Sequence, residues 1–317
     1  MDRRAFLGGA GSCAAHLALA ATLPPALTRA WIRPVPRVVA REPFGSLVQV
    51  ADGIWALIST PLEGDRTTLS NGGLIAGSDG VLAIEGFFMP EGAAWLAARS
   101  QELTGRRPSH VALTHYHADH VNGLAGYLGG GATPAILATA ATRDLVLERN
   151  TPPNAERAAA LGGVTVLDPA GTATLDLGDR QVTITPRAGH TASDITLTVD
   201  DPHVVFCGDL VWNGMFPNYV DAVPSALSRA VRSSRGEAET VYVPGHGRLA
   251  DQAAFDRYVE VIDAVEAGAR TAFAAGDDAE AAGGAFTLPA ALGEWTLFGR
   301  TYMARAFGAW YRELSGS

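Results

Sequence analysis

The chain repeats one pattern twice: a series of short β-type runs with tight turns between them, then helical stretches. Leu47–Val50 and Ile54–Ser59 flank the turn Ala51-Asp52-Gly53, and Asn71–Gly77 and Gly80–Gly86 form another hairpin turning at Ser78-Asp79. Helical spacing follows over Pro90–Leu103, with proline in the first turn. After the short strand His110–Leu113, helices are expected at Val121–Leu128, Ala140–Glu148 and Pro153–Leu161, around a strand at Ala135–Ala138. The second series comprises Val164–Leu167, Thr172–Leu177, Gln181–Pro186, Ile195–Val199 and His203–Cys207. Helices at Val223–Arg232 and Asp251–Ala275 bracket a strand at Thr240–Val243. A polar loop is expected at Gly276–Gly284 and a last helix at Leu292–Leu314. Each β-series has one face to bury, so two sheets packed together with helices outside is the economical arrangement.

Composition narrows the function. With 47% hydrophobic residues the chain can fold around a core, and after the N-terminus no run reaches the length of a spanning helix. A net charge of −9 disfavours a phosphate backbone as partner, which points to a small-molecule substrate rather than nucleic acid. All 24 basic residues are arginine, so the P-loop lysine and lysine Schiff-base chemistry are excluded. Cys13 and Cys207 are too few for a disulfide framework.

The first thirty residues read as a separate unit. Arg3-Arg4-Ala5-Phe6-Leu7 precedes an apolar, small-residue stretch to Leu23, which resembles a twin-arginine export signal. The expected organisation is a signal peptide at 1–30, a proline-rich linker at 31–44, a catalytic domain at 45–275 and a helical extension packed on it at 276–317. A periplasmic location follows from that reading, with no stable membrane insertion once the signal is removed.

Of the eight histidines, three lie in Thr114-His115-Tyr116-His117-Ala118-Asp119-His120. His190 lies in Ala188-Gly189-His190, Asp209 in Cys207-Gly208-Asp209 and His246 in Pro244-Gly245-His246, each after a β-type run. Imidazole and carboxylate are donors for zinc and similar divalent ions. His115 and His117, two apart in an extended segment, point to one side, while Asp119 and His120 project elsewhere. One tetrahedral ion cannot easily take four donors from one short segment. The spacing favours two metals, with His190, Asp209 and His246 completing both shells.

These segments, in this order, resemble the metallo-β-lactamase-fold hydrolases, and glyoxalase II-like members in particular. The resemblance implies an α/β fold, a four-layer αββα sandwich of two mixed sheets. It implies that His115, His117 and His190 hold one Zn2+, and that Asp119, His120 and His246 hold a second, with Asp209 bridging. An aspartate at 209 separates this chain from zinc β-lactamases, and a histidine at 117 from di-iron relatives that carry glutamate there. Gly208-Asp209-Leu210-Val211 and Phe216-Pro217-Asn218 look like periplasmic metallohydrolases found beside quinoprotein oxidation systems. The implied reaction is hydrolysis of a small ester, thioester or lactone by a metal-bridging hydroxide, with Asp119 as the catalytic proton relay. The alternatives are a subclass B-type β-lactamase, a sulfur dioxygenase with a single iron, and a metal-binding protein without catalysis.

Other candidates carry plainer readings. Cys207, His110, His203 and Tyr116 are expected to be packing residues, and Asn71-Gly72-Gly73 structural punctuation. Asp194 suits either a turn or a hydrogen bond to a ligand imidazole. Trp212 and Phe216 are candidates for a pocket wall, and Tyr219 is the expected substrate contact.

Overall fold

The computed structural model describes residues 35–129, 131, 133–150 and 154–316. It divides into Met1–Pro36 and Arg37–Ser317, and all the described secondary structure lies in the second unit. The expected export signal at 1–30 lies outside the described residues. Among those residues, no helix is long and apolar enough to cross a membrane.

The first sheet has eight strands in sequence order: β1 (Arg37–Glu42), β2 (Gly45–Ala51), β3 (Ile54–Ser59), β4 (Gly72–Ala76), β5 (Val81–Ile84), β6 (His110–Ala112), β7 (Ala135–Thr139) and β8 (Val164–Leu167). β1–β5 are antiparallel, and β5–β8 are parallel. The parallel part needs crossovers. They carry α1 (Pro90–Thr104), the single turn α2 (Ala118–Val121), α3 (Ala140–Arg149) and α4 (Ala155–Gly162). The second sheet runs β13 (Val241–Gly247), β12 (Val204–Asn213), β11 (Ile195–Val199), β10 (Gln181–Pro186) and β9 (Ala173–Asp176). Outside it lie α5 (Pro224–Ser233), α6 (Gln252–Ala275), α7 (Ala279–Ala285) and α8 (Tyr302–Ser315).

Three apolar layers hold these parts together. Ile54, Ile75, Leu82 and Ile84 of the first sheet meet Ile184, Leu197, Val204 and Phe206 of the second. Leu74, Val111 and Leu113 pack outward on Leu96, Ala97 and Val121. Leu210 and Tyr242 pack outward on Leu227, Val261, Phe307 and Trp310. Two sheets between helices is the αββα sandwich, and each layer buries one face of a sheet.

The structure departs from expectation in four places. Residues 37–42, expected as linker, form the edge strand β1. An edge strand buries little, so its sequence shows no strong alternation. The expected helix at Val121–Leu128 breaks into α2 and a 3-10 turn at Leu124–Leu128. At Gly123 any Cβ would lie 2.2 Å from the Met89 carbonyl. The expected loop Gly276–Gly284 contains α7, capped by the Asp278 side chain, which accepts from the Ala281 N–H. Its small residues permit close packing, since a Cβ on Gly283 would meet the Ala304 Cα at 2.6 Å. The expected helix Leu292–Leu314 is a 3-10 turn, an extended stretch bridging Met215 to Thr296, and α8. Gly293, at φ 76° and ψ −165°, stops the first turn in a conformation open only to glycine.

Candidate metal centre

The carboxyl ends of the central strands meet at one edge of the sandwich, where open α/β sheets place their ligands. The segment after β6 supplies His115, His117, Asp119 and His120, and the loop after β10 supplies His190. Asp209 stands within β12, just past Gly208, where the pairing with β13 shifts register. Gly208 has φ 51°, and a Cβ there would meet Thr114 Oγ1 at 2.7 Å. That bulge turns Asp209 toward the histidines. His246 sits near the end of β13, clamped by Asn71, whose Nδ2 donates to the Pro244 and Gly247 carbonyls at 2.9 Å each.

The seven residues form two groups: His115, His117, His190 and Asp209, and Asp119, His120 and His246. His117 Nδ1 is 3.1 Å from His115 Nε2 and 3.0 Å from His190 Nε2. Asp209 Oδ2 is 3.3 Å from His190 Nε2 and 4.0 Å from His115 Nε2. Its other oxygen, Oδ1, is 3.2 Å from His120 Nε2 and 3.4 Å from His246 Nε2. Asp119 Oδ2 lies 3.2 Å from His246 Nε2 and 3.6 Å from His120 Nε2. Bonds of roughly 2.0–2.1 Å in a tetrahedron separate neighbouring donors by about 3.3 Å, the spacing seen here.

His115, His120 and His190 are fully buried, and Asp209 is 5% exposed. Burial and the neighbouring histidines lower the His115 pKa, and burial is the main cause taking His190 down to about 3, so both present bare nitrogens. Burial opposes ionisation of Asp209 and Asp119, but His246 and His120 outweigh it and hold both carboxyls below their usual range. Burial would likewise lower His246, yet Asp209 and Asp119 raise it to about 9. Asp209 Oδ1 and His120 Nε2 are buried with no hydrogen-bond partner among the described residues. Buried polar atoms without partners are rare in folded proteins. Two divalent cations on this nitrogen and oxygen donor set would satisfy them, so the residues fit such ions.

Outer contacts aim the donors. Thr114 Oγ1 is 3.0 Å from His115 Nδ1. Glu85 Oε1 lies 3.0 Å from His120 Nδ1, and its carboxylate accepts from Thr114 Oγ1 at 2.5 Å. Glu85 and nearby Phe87 hold φ of 76° and 59°, left-handed conformations that such residues adopt only under constraint. Asp221 Oδ2 lies 2.9 Å from His117 Nε2 and accepts from the Tyr116 hydroxyl. Arg149 donates to that hydroxyl at 3.1 Å. Sequence reasoning missed Glu85 and Asp221 as orienting groups. A carboxylate closing the buried strand β5 was a usable signal for Glu85; a lone acid in a loop gave none for Asp221.

A cavity of about 470 Å³ opens over the centre. His117, Asp119, Trp212, Asn218, Asp221 and Tyr302 line it, but Tyr219 does not. Tyr219 is fully buried near Phe216, and its neighbours Asn218 and Val220 reach the cavity instead. The expected contact at Tyr219 is therefore corrected: along that segment the aromatic side chain turns into the apolar layer. Phe216 is fully buried too, whereas Trp212 stacks on His246 with ring centroids 4.0 Å apart. Tyr116 is buried but also reaches the cavity. Cys207 belongs to the core, its thiol 3.6 Å from the Val205 carbonyl. Asp194 closes a turn on Thr191, and His110 lies against Ser109.

Comparison with known proteins agrees with this geometry. The family model described as the metallo-beta-lactamase superfamily matches residues 66–246. A hydroxyacylglutathione hydrolase from Parasynechococcus marenigrum (strain WH8102) is 29% identical over 151 residues, covering 44% of this chain and 49% of that protein. The chain thus spans about half the length of that curated relative. A metallo-beta-lactamase from Erythrobacter litoralis superposes with a TM-score of 0.57 at 21% identity, over 71% of this chain and 98% of that one. A sec-alkylsulfatase from Pseudomonas sp. gives a TM-score of 0.66 at 13% identity, over 85% of this chain and 50% of that one. At those identities the two structures speak for the fold alone. With the sandwich, the two donor groups and the matched span in agreement, the chain belongs to the metallo-β-lactamase superfamily.

Proposed function

We propose that this protein is a dinuclear zinc hydrolase that cleaves a small ester, thioester or lactone-type carbonyl substrate, acting in the periplasm after export. One observation carries the reading: Asp209 turns one oxygen to His115 and His190 and the other to His120 and His246. A single carboxylate shared by two donor groups is the arrangement that holds two cations side by side. When bound, two Zn2+ ions supply an activated water and a Lewis acid for the carbonyl oxygen.

The chain's own groups do the rest. In hydrolysis a water oxygen joins the carbonyl carbon, the C–O or C–S bond breaks, and a proton reaches the leaving group. Asp119 is placed to carry that proton, because its side chain is 27% exposed to the cavity while His120 is fully buried. Tyr302, its pKa raised to about 12 mainly by burial, stays protonated and faces the cavity as a donor. Trp212 and Phe298 cover His246 and exclude water from its ring.

The test is elemental analysis combined with a panel of thioesters, lactones and nitrocefin. The expected result is about two zinc ions per chain, ester or thioester turnover, and loss of turnover in Asp209→Ala and His117→Ala. Full activity in metal-free protein would overturn the reading. Nitrocefin as the preferred substrate would replace it with a β-lactamase, and iron with oxygen uptake on a persulfide would replace it with a dioxygenase.

A further inference from the structure

Two arginines reach the cavity over the metal centre, and they differ in what they already hold. Arg149 donates to the Tyr116 hydroxyl at 3.1 Å and lies 3.6 Å from Asp221 Oδ1. Arg66 has no carboxylate or hydrogen-bond acceptor among the described residues. Its guanidinium lies over the ring of Phe88, with the guanidinium carbon 4.9 Å from the centroid. Stacking on a ring leaves the edge of a guanidinium, with its fork of N–H groups, free to take a carboxylate.

The backbone around Arg66 is held in place. Asp65 Oδ1 accepts from the Thr67 N–H at 2.8 Å, so this neighbouring carboxylate is turned to the backbone. Phe88 and Met89 N–H donate to the Thr68 and Thr67 carbonyls at 3.1 and 3.0 Å, which ties the ring-bearing segment to the arginine-bearing one. Leu69 follows with φ 62°, a constrained conformation at the cavity wall. The segments carrying the cation and its ring are thus tied together, while the Arg66 side chain is exposed to the cavity.

Electrostatics gives that cation a purpose. The whole chain carries −9, and Asp119, Asp209 and Asp221 all line the cavity. Bound divalent cations would take up the charge of Asp119 and Asp209, and Asp221 is paired with His117 and Arg149, so an anionic group entering the cavity is drawn to the lining cation that has no acceptor, Arg66. Building on the hydrolase reading above, we propose that the natural substrates carry a carboxylate apart from the scissile carbonyl, and that Arg66 binds it while Phe88 and Phe298 cover the apolar body. Arg66 is then a specificity-determining residue and has no part in bond breaking.

The probes are the 4-nitrophenyl monoester of adipic acid and 4-nitrophenyl hexanoate, which differ only in a terminal carboxylate in place of a methyl. Zinc-loaded protein should prefer the adipate ester. In Arg66→Ala the ratio of kcat/KM between anionic and neutral esters should fall about tenfold, the size of one charge-assisted hydrogen bond at an accessible site. Arg66→Lys should restore part of it. Calorimetry with adipamate and hexanamide, which differ in the same way, gives a readout independent of turnover, and there Arg66→Ala should weaken adipamate alone. If neither ester is hydrolysed but adipamate binding still depends on Arg66, the substrate-class proposal stands and the hydrolase reading fails. If turnover proceeds and Arg66→Ala changes both esters equally or neither, Arg66 is only a solvated surface cation and the proposal is overturned.

Discussion

Asp221 Oδ2 lies 2.9 Å from His117 Nε2, although the two residues are separated by 104 positions in sequence. His117 Nδ1 faces His115 Nε2 and His190 Nε2, so it has to be bare to serve as a donor, and the ring proton belongs on Nε2. Asp221 accepts that proton's hydrogen bond, which fixes the tautomer and the ring angle. Removal of such a partner typically costs roughly 10–100-fold in metal affinity. Asp221→Ala should lose that much in a competitive chelator titration, while circular dichroism stays that of the folded protein. Unaltered affinity would show that packing alone orients His117.

Gly245 makes the central carboxylate possible. A Cβ at this position would lie 2.0 Å from Asp209 Oδ1 and 2.7 Å from the Gly208 carbonyl carbon. Neither can yield cheaply, one being the shared donor and the other main chain. Gly245→Ala should lower the metal content and destabilise the protein by about 1–3 kcal/mol through overpacking. Gly162→Ala is the control, since a Cβ there meets nothing within 4 Å. Elemental analysis and thermal melts on the two variants check both halves of the expectation.

The contrast between ligands and their supports explains what the sequence could reveal. His115, His117, Asp119 and His120 stand in one short segment, and donors that dense have little purpose except a cation. His190, Asp209 and His246 each follow a β-type run, so topology brings them to the same sheet edge. Glu85 and Asp221 act by orientation, and a single carboxylate carries no mark of what it orients until the fold places it. The sheets were legible because β2–β5 and β10–β12 are bounded by clear turns. β1 was not, because an edge strand buries too little to pattern its sequence. α7 was hidden for a related reason: alanine and glycine pack by backbone approach, which leaves no hydrophobic period to read, while the break before α8 rests on the conformation of one glycine, Gly293, inside an aromatic-rich stretch.

Asp194 gives the metal-free protein a pH signature of its own. Its carboxyl is 3% exposed, and burial pushes its pKa up to about 7 despite hydrogen bonds from the Thr191 N–H and hydroxyl. In the unfolded chain an aspartate titrates near about 3.9. Between these values the folded protein keeps a proton that the unfolded chain has released. The contribution of Asp194 to stability is therefore fully present below about pH 4, is lost as pH rises toward 7, and is level above that. The loss amounts to no more than about 4 kcal/mol, at 1.36 kcal/mol per pH unit. Denaturant melts of chelated wild type and Asp194→Asn, compared from pH 4 to 8, should diverge with that sign. Parallel curves would mean that the Thr191 bonds keep Asp194 ionised throughout.

Tyr219 tests whether position along the chain or burial decides a role. It sits between Asn218 and Val220, both of which reach the cavity, yet it is fully buried in the core. Its hydroxyl is buried without a hydrogen-bond partner among the described residues. A desolvated, unpartnered hydroxyl costs about 1–3 kcal/mol, so Tyr219→Phe should hold or raise stability and leave kcat/KM within a factor of two. Tyr219→Ala removes the ring from the layer that holds Phe216 and Trp212, and should cost about 3–5 kcal/mol. Thermal melts and steady-state kinetics on both variants separate the two effects. A tenfold fall in kcat/KM for Tyr219→Phe at unchanged stability would return the hydroxyl to the substrate, against the packing seen here.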